Sequence, residues 1–312
     1  LGSGRVYLDF LLKVHDEVRK HGRRMMFWGD MIIRSPEFIP EIPRDVIGLV
    51  WGYSSTFPFD EQCEKYKKTG LDFYVCPGVA TWQSFCGRTD NMIANVRRAA
   101  ESAVKWRAMG FLNTDWGDLG HHQPAVISWL GYAAGAAATW AFKKNKKLDI
   151  TASADLHVFK DSAHGAAKLL WSLGNTYRLT DDVDCTKLFQ CVLWSPTAKF
   201  ASLDPLKIDL VTAHVNTILK RVLRLRLDRP DADIVRRELR LACHFMLFAA
   251  AVAKARSTTE NGTLPENWAM TLTPDTPTLE ALMQEHRDVW LLRSRPGGLG
   301  ESIHYLAHLK SK

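Results

Sequence analysis

Four times between residues 5 and 142 the sequence passes from a helical pattern to a short apolar run, and this alternation narrows the fold more than any other feature. The first unit is "RVYLDFLLKVHDEVRKHG" followed by "RMMFWGD"; Val6, Phe10, Leu11, Val14 and Val18 recur at helical spacing, and Gly22 supplies the stop. A loop and helix around "SPEFIPEI" lead to the second strand, "DVIGLVWGY". The third unit pairs "DEQCEKYKKTG" with "LDFYVCPG", and the fourth pairs "NMIANVRRAAESAVKWRAMG" with "FLNTDW". Strands joined by helical crossovers run parallel, because the helix carries the chain back to the edge from which the previous strand started. The expectation is an α/β fold.

Each predicted strand ends in a similar cluster: Trp28-Gly29-Asp30, Trp51-Gly52-Tyr53, Cys76-Pro77-Gly78 leading to Trp82, and Trp116-Gly117-Asp118. A lone tryptophan is ordinarily core, but recurrence at one topological position points to a lined pocket, since parallel barrels build their sites at the C-terminal ends of the strands. Flat indole faces beside carboxylates suit a pyranose, whose C–H face stacks on a ring while its hydroxyls need fixed acceptors.

The stretch "GFLNTDWGDLGHHQP" (110 to 124) concentrates this chemistry and admits three readings. Asp115, Asp118, His121 and His122 include ordinary metal ligands. Adjacent histidines seldom point at one ion, however, and neither HxH nor HExxH occurs in the chain. Acid/base work needs two carboxylates across a scissile bond; Asp115 and Asp118 flank Trp116, but sequence alone shows no such separation, and Asp115 serves equally as a turn cap. A sugar platform is the reading that uses the whole stretch. His121 and His122 are then rim residues or packing and capping residues near Pro124.

Bulk properties exclude other classes. The net charge of +7 falls partly in "KRVLRLRLDRPDADIVRRELR", which lacks aromatic interleaving and is read as solvated helix faces rather than a nucleic-acid site. Cys63, Cys76, Cys86, Cys185, Cys191 and Cys243 form no C-x-x-C pair, so core thiols and a reducing, cytoplasmic compartment are favoured over zinc or a disulfide scaffold. "AVISWLGYAAGAAATWAF" is rich in Ala and Gly, and a buried helix is expected there rather than a membrane span. The opening "LGSGR" has no initiator Met and no signal pattern, so the natural N-terminus is expected upstream. Asn261-Gly262-Thr263 fits a glycosylation acceptor, a pattern short enough to arise by accident.

Beyond residue 150 the alternation stops. Asp204-Pro205 marks a helix start, with Ile208, Val211, Val215, Ile218, Leu219 and Val222 as one stripe; a second long helix runs from about Asp231 to Arg256, and a helix pair closes the chain. His244, inside "LACHFMLFAAAVA", is expected to be a core histidine. Two domains follow: an α/β region over 1–149 and an all-α region over 150–312, the latter without chemistry of its own.

The succession "MMFWGDMI", "VIGLVWGY", "CPGVATWQSFCGRTDNMIANV" and "GFLNTDWGDLGHHQP" resembles the second half of the catalytic barrel of glycoside hydrolase family 20, the exo-acting β-N-acetylhexosaminidases. "LLWSLGNTYRL" and "WLLRSRPGGLGES" resemble the helical C-terminal region of bacterial members. The resemblance implies the C-terminal half of a (β/α)8 barrel, about strands 5 to 8, followed by an all-α domain. It assigns Trp28 and Trp51 to the walls around a 2-acetamido group, Trp116 to the surface under the sugar ring, and Asp118 to the outer hydroxyls. Asp30, Tyr53 and His121 would complete the rim. Where members carry Tyr-x-Asp after the seventh strand this chain has "VATWQSF", leaving Trp82 at that place.

In the family an Asp-Glu pair at the end of the fourth strand does the chemistry: Glu protonates the leaving oxygen, the acetamido carbonyl attacks C1, and Asp steadies the oxazolinium. No His-x-Gly-x-Asp-Glu-like segment occurs in these 312 residues. The resemblance therefore implies binding walls for terminal GlcNAc or GalNAc, no cofactor or metal, no nucleic-acid or membrane partner, and a missing N-terminal half of the barrel. The chain alone is expected to be inactive. Two alternatives from other classes stay open, a non-catalytic sugar-binding module and a metal-dependent hydrolase on a barrel scaffold.

Overall fold

The computed structural model describes residues 2–180, 187–194 and 197–311. The chain is α/β, with a four-stranded, wholly parallel sheet in the order β1-β2-β3-β4 and helices over most of the remainder. Two compact units are distinguished, and they interleave along the sequence. The first comprises Leu1–Val79, Asn91–Thr114 and Ala134–Lys147; the second comprises Ala80–Asp90, Asp115–Ala133 and Leu148–Lys312.

In the first unit the elements are α1 (Ser3–Lys20), β1 (Met26–Trp28), α2 (Asp30–Arg34), β2 (Ile47–Trp51), α3 (Phe59–Thr69), β3 (Asp72–Cys76), most of α4 (Thr89–Trp106) and β4 (Gly110–Phe111). Met26 pairs with Ile47, and Ile47 in turn with Asp72, so strands follow chain order without a skipped position. The first four residues of β2 are all buried, as a strand covered on both faces requires. Leu8, Leu11, Met25, Phe27, Ile32, Ile42, Val46 and Leu71 form one core, and Val50, Phe59, Cys63, Tyr66, Phe73, Val75 and Ala99 a second.

The helix at α1 has the expected limits but not the expected buried face. Leu8, Leu11 and His15 are buried, whereas Val6, Phe10 and Val14 are 53%, 67% and 37% exposed. The apolar arc of this helix is wider than the face that packs, and Leu8 sits at the centre of the packed side. His15 is anchored through a 2.9 Å contact from Nε2 to Asp45 Oδ1.

β4 is also shorter than "FLNTDW" suggests. Beyond it the chain still follows β3, with Leu112 N donating to Val75 O, Thr114 N to Pro77 O and Val79 N to Thr114 O, each at 2.9 Å. Pro77 has no N–H to return, so the regular ladder lapses after two residues.

α5 (Trp129–Asn145) runs from the second unit into the first and contains a non-helical residue, Ala141. The stretch Ala125–Asn145 is long and apolar enough to cross a membrane by composition. Burial is confined to its first half: Val126, Ile127, Leu130 and Ala134 are buried, while Trp140 is 91% exposed. The expected buried helix is thus only half buried.

The second unit is helical, built from α6 (Ile150–Ala154), α7 (Ala166–Leu173), α8 (Lys187–Leu193), α9 (Ala198–Ala201), α10 (Pro205–Val222), α11 (Ala232–Arg256), α12 (Leu279–Arg293) and α13 (Leu299–Ala307). Asp204 caps α10 by accepting from Leu206 N at 2.9 Å, and all six residues of the expected stripe are buried. α10 packs on α11, whose middle is enclosed nearly all round. His244 is half-buried there, and burial lowers its pKa. Phe85 stacks on Phe245 at 4.8 Å and meets Phe189 at 5.0 Å, which ties the segment after β3 into this core. Cys63, Cys76, Cys86, Cys191 and Cys243 are buried free thiols, with burial pushing Cys63 and Cys76 up to about 12; Cys185 lies outside the described residues.

Candidate functional site

The ends of β1 and β2 bring four of the expected residues together. Trp28 meets Trp51 edge to face, 6.5 Å between centroids at 83°, and Trp51 lies 5.3 Å from Tyr53 at 33°. Trp51 Nε1 donates to Asp30 Oδ1 at 3.1 Å. All four are half-buried, the state of residues that line a surface rather than fill a core. Arg34 approaches the other Asp30 oxygen at 3.4 Å, and Tyr7 donates to Trp28 O at 3.2 Å. Burial, with the Asp30 carboxylate nearby, raises the Tyr7 pKa and keeps that hydroxyl a donor.

The glycines of these clusters are explained by rings that occupy the place of their missing side chains. A methyl on Gly29 would strike the Tyr66 hydroxyl, which donates to Gly29 O at 2.7 Å; a methyl on Gly52 would strike Phe57. Gly29 and Gly52 are also the last laddered positions, donating to Leu49 O and Cys76 O. The glycine after each tryptophan is therefore held on one side by the sheet and on the other by a ring, the buried Tyr66 at Gly29 and the half-buried Phe57 at Gly52.

Sequence reasoning missed two asparagines on α4. Asn95, wholly buried, donates to Gly52 O at 3.0 Å and Ser54 O at 2.8 Å and accepts from Gly78 N at 3.1 Å; Asn91 donates to Tyr53 O at 2.8 Å and accepts from Ser55 N at 2.7 Å. One helix face thus satisfies the backbone at the ends of β2 and β3 and holds the Tyr53 turn. Their spacing of four residues was the available signal, because polar residues one helical turn apart on an otherwise apolar face need buried partners.

The remaining expected residues belong to the second unit. Trp82 is half-buried, with the Arg88 guanidinium 4.4 Å from its ring centroid. Arg88 is itself buried and donates to Ala80 O at 3.2 Å and to Trp82 O. The Trp82 indole N–H is buried and has no hydrogen-bond partner among the described residues. Trp116 is half-buried, and its carbonyl accepts from Gln123 Nε2 at 3.1 Å. Asp118 is exposed, and its carboxylate has no partner among the described residues.

The two histidines divide. His121 packs over Gly117, in the place a side chain would take, and meets Trp290 edge to face at 6.2 Å. Burial lowers its pKa despite Asp115 nearby. His122 is 1% exposed, contacts Ser302 O through Nε2 at 2.9 Å and stacks on His286 at 5.4 Å, amid Phe85, Phe189 and Phe245. Burial pushes its pKa down to about 4. His122 is thus a packed core ring, whereas His121 is half-buried against Gly117 and Trp290.

Asp115 is neither a turn cap nor an open ligand. Its two oxygens accept from Thr81 Oγ1 at 2.7 Å and Tyr132 Oη at 2.5 Å. Among the described residues no group of three or more His, Cys, Asp or Glu side chains is placed to hold a metal ion. No protein-family model matches the chain, and no curated protein matches it significantly.

Proposed function

We propose that this chain supplies the sugar-binding walls of an exo-β-N-acetylhexosaminidase, its four strands being strands 5 to 8 of a (β/α)8 barrel. The observation that carries the reading is the corner made by Trp28 and Trp51 at the C-terminal ends of adjacent parallel strands. Two indoles near 83° present one face and one edge, a shape that takes a small flat group such as an acetamide, while Asp30 and Tyr53 add polar contacts beside it. The family resemblance assigns Trp116 to a ring surface and Asp118 to hydroxyl binding, while the acetamide corner stands on Trp28, Trp51, Asp30 and Tyr53 alone. In the complete enzyme the acetamido carbonyl would act as nucleophile, assisted by an Asp-Glu pair supplied from outside these 312 residues.

A non-catalytic sugar-binding module is the second reading, and the same aromatic corner favours it. The metal-dependent alternative is weakened by the site's own contacts: both Asp115 oxygens are taken by hydroxyls and His122 is enclosed by phenylalanines.

Titration of intrinsic tryptophan fluorescence with N-acetylglucosamine, glucose and N-acetylgalactosamine tests the proposal. The expected result is saturable binding of the two acetamido sugars, absent for glucose and lost in Trp51→Ala. Equal responses to all three sugars, or binding untouched by Trp51→Ala, would remove the acetamide pocket and the reading with it. Full-length protein that binds but never turns over an aryl N-acetylglucosaminide would select the binding module.

A further inference from the structure

The segment that carries Trp82 and the segment that carries Trp116 meet at a single carboxylate. Asp115 accepts at Oδ1 from Thr81, the neighbour of Trp82, and it immediately precedes Trp116 in the chain. Its second oxygen accepts from Tyr132 on α5, and Ser128 Oγ reaches Thr81 Oγ1 at 3.5 Å. All of these residues belong to the second unit.

Both segments need holding. Ala80 and Gln83 bracket Thr81 and Trp82 with φ of 57° and 48°, and Leu119 and His121 follow Trp116 with φ of 56° and 51°. Four of the seven non-glycine left-handed residues among the described ones therefore fall here. Such conformations persist only where surrounding contacts over-determine them. Among the described residues Trp82 makes no anchoring hydrogen bond through its indole N–H. Its orientation rests on the Arg88 stack and on the backbone that Thr81 fixes.

We infer that Asp115 is a positioning residue: by holding Thr81 and Tyr132 together it sets the orientation of Trp82 and Trp116 toward sugar, without touching sugar itself. This inference rests on the sugar-binding reading. It reassigns a carboxylate that, beside a tryptophan and two histidines, would otherwise be sought among acids, bases or metal ligands. The geometry also says why the residue is an aspartate. Two hydroxyl donors converge on one side chain, and only a carboxylate accepts at both ends; the amide of an Asp115→Asn variant would turn an N–H toward one of them.

The chain labelled with 5-fluorotryptophan gives a test that does not depend on sugar. Trp82→Phe and Trp116→Phe identify the two resonances, and Trp268, buried in the helical core, serves as internal reference. In Asp115→Asn, the Trp82 and Trp116 resonances should shift or broaden while Trp268 stays in place, and N-acetylglucosamine affinity should fall about tenfold, the scale of one charge-assisted hydrogen bond. Thr81→Val and Tyr132→Phe leave the carboxylate in place and remove one donor each. Thr81→Val should move chiefly Trp82, and these milder variants decide the matter if Asp115→Asn fails to fold. Unmoved Trp82 and Trp116 lines would overturn the inference, as would a fall in melting temperature with unchanged lines and affinity. If the wild-type chain binds no N-acetylglucosamine, the sugar reading fails while the fluorine spectra still decide whether Asp115 positions the two indoles.

Discussion

Trp51 reaches from the end of β2 to Asp30 beyond β1, its indole N–H 3.1 Å from the carboxylate. The bond fixes one wall of the aromatic corner by a group that is only partly shielded, so its loss should weaken binding more than folding. Asp30→Ala is expected to reduce N-acetylglucosamine affinity about tenfold, roughly 1.4 kcal/mol, with little change in melting temperature. Asp30→Asn keeps an acceptor and should lose less. Titration of both variants beside a thermal melt checks this; equal affinity in Asp30→Ala and wild type would detach the carboxylate from the site.

Trp116 and Asp118 differ in what they offer, and kinetics of the full-length protein should separate them. Trp116→Ala removes a ring surface worth about 1 to 3 kcal/mol. Asp118→Asn keeps shape but loses charge-assisted hydrogen bonds. Both should lower kcat/KM on aryl N-acetylglucosaminides by factors that hardly vary with the leaving group. A loss by Asp118→Asn confined to poor leaving groups would make that residue the general acid instead.

Acid should weaken the helical unit through a pair of neutral imidazoles. Burial pushes His122 down to about 4, and burial reinforced by His122 pushes His286 down to about 3, from an ordinary value of 6.5. Below pH 6.5 the unfolded chain takes up protons that the folded one refuses, so stability is lost as pH falls toward these folded values. The slope is up to about 1.4 kcal/mol per pH unit for each ring. Urea melts at pH 7, 6 and 5 should show this decline, and His286→Gln should make it shallower. A flat profile would mean that the pair opens to water.

Among the described residues β1 and β4 each pair with one strand only, and Met26, Met109 and Leu112 on or beside them are 40%, 52% and 38% exposed. Parallel strands with bare edges and apolar flanks recruit other strands. The isolated chain should self-associate at micromolar concentration in light scattering after gel filtration, and Met26→Lys with Leu112→Lys should reduce this. A monodisperse monomer with a cooperative melt would show the edges to be stable as they stand.

The parts of this architecture that depend on local pattern were legible. Parallel order followed from four helix-strand alternations, and the α10 stripe is buried at every named position. Burial on α1 was not legible, because its apolar residues span more of the helix than one neighbour covers. The length of β4 depended on a proline in the adjacent chain segment, which no reading of β4 itself can supply. The aromatic residues of the candidate site declared themselves by recurrence. Their supports, Tyr66, Asn91 and Asn95, did not, since they hold backbone atoms of Gly29, Ser55 and Gly52, which lie 37, 36 and 43 positions away and come within reach only in the folded chain. A single boundary near residue 150 likewise describes the chain in one dimension, whereas Ala80–Asp90 and Asp115–Ala133 group with later helices.

Tyr66 and Gly29 share one volume, and that has a consequence for how the chain can vary. Enlarging residue 29 alone produces a collision, and shrinking residue 66 alone leaves a hole and an unmet carbonyl. A change at either position is tolerable chiefly in the company of the other, so the route between two workable versions passes through a poor intermediate. The tryptophan next to this pair is thereby sheltered from gradual substitution: drift at the end of β1 is held back by a tyrosine closed off from solvent.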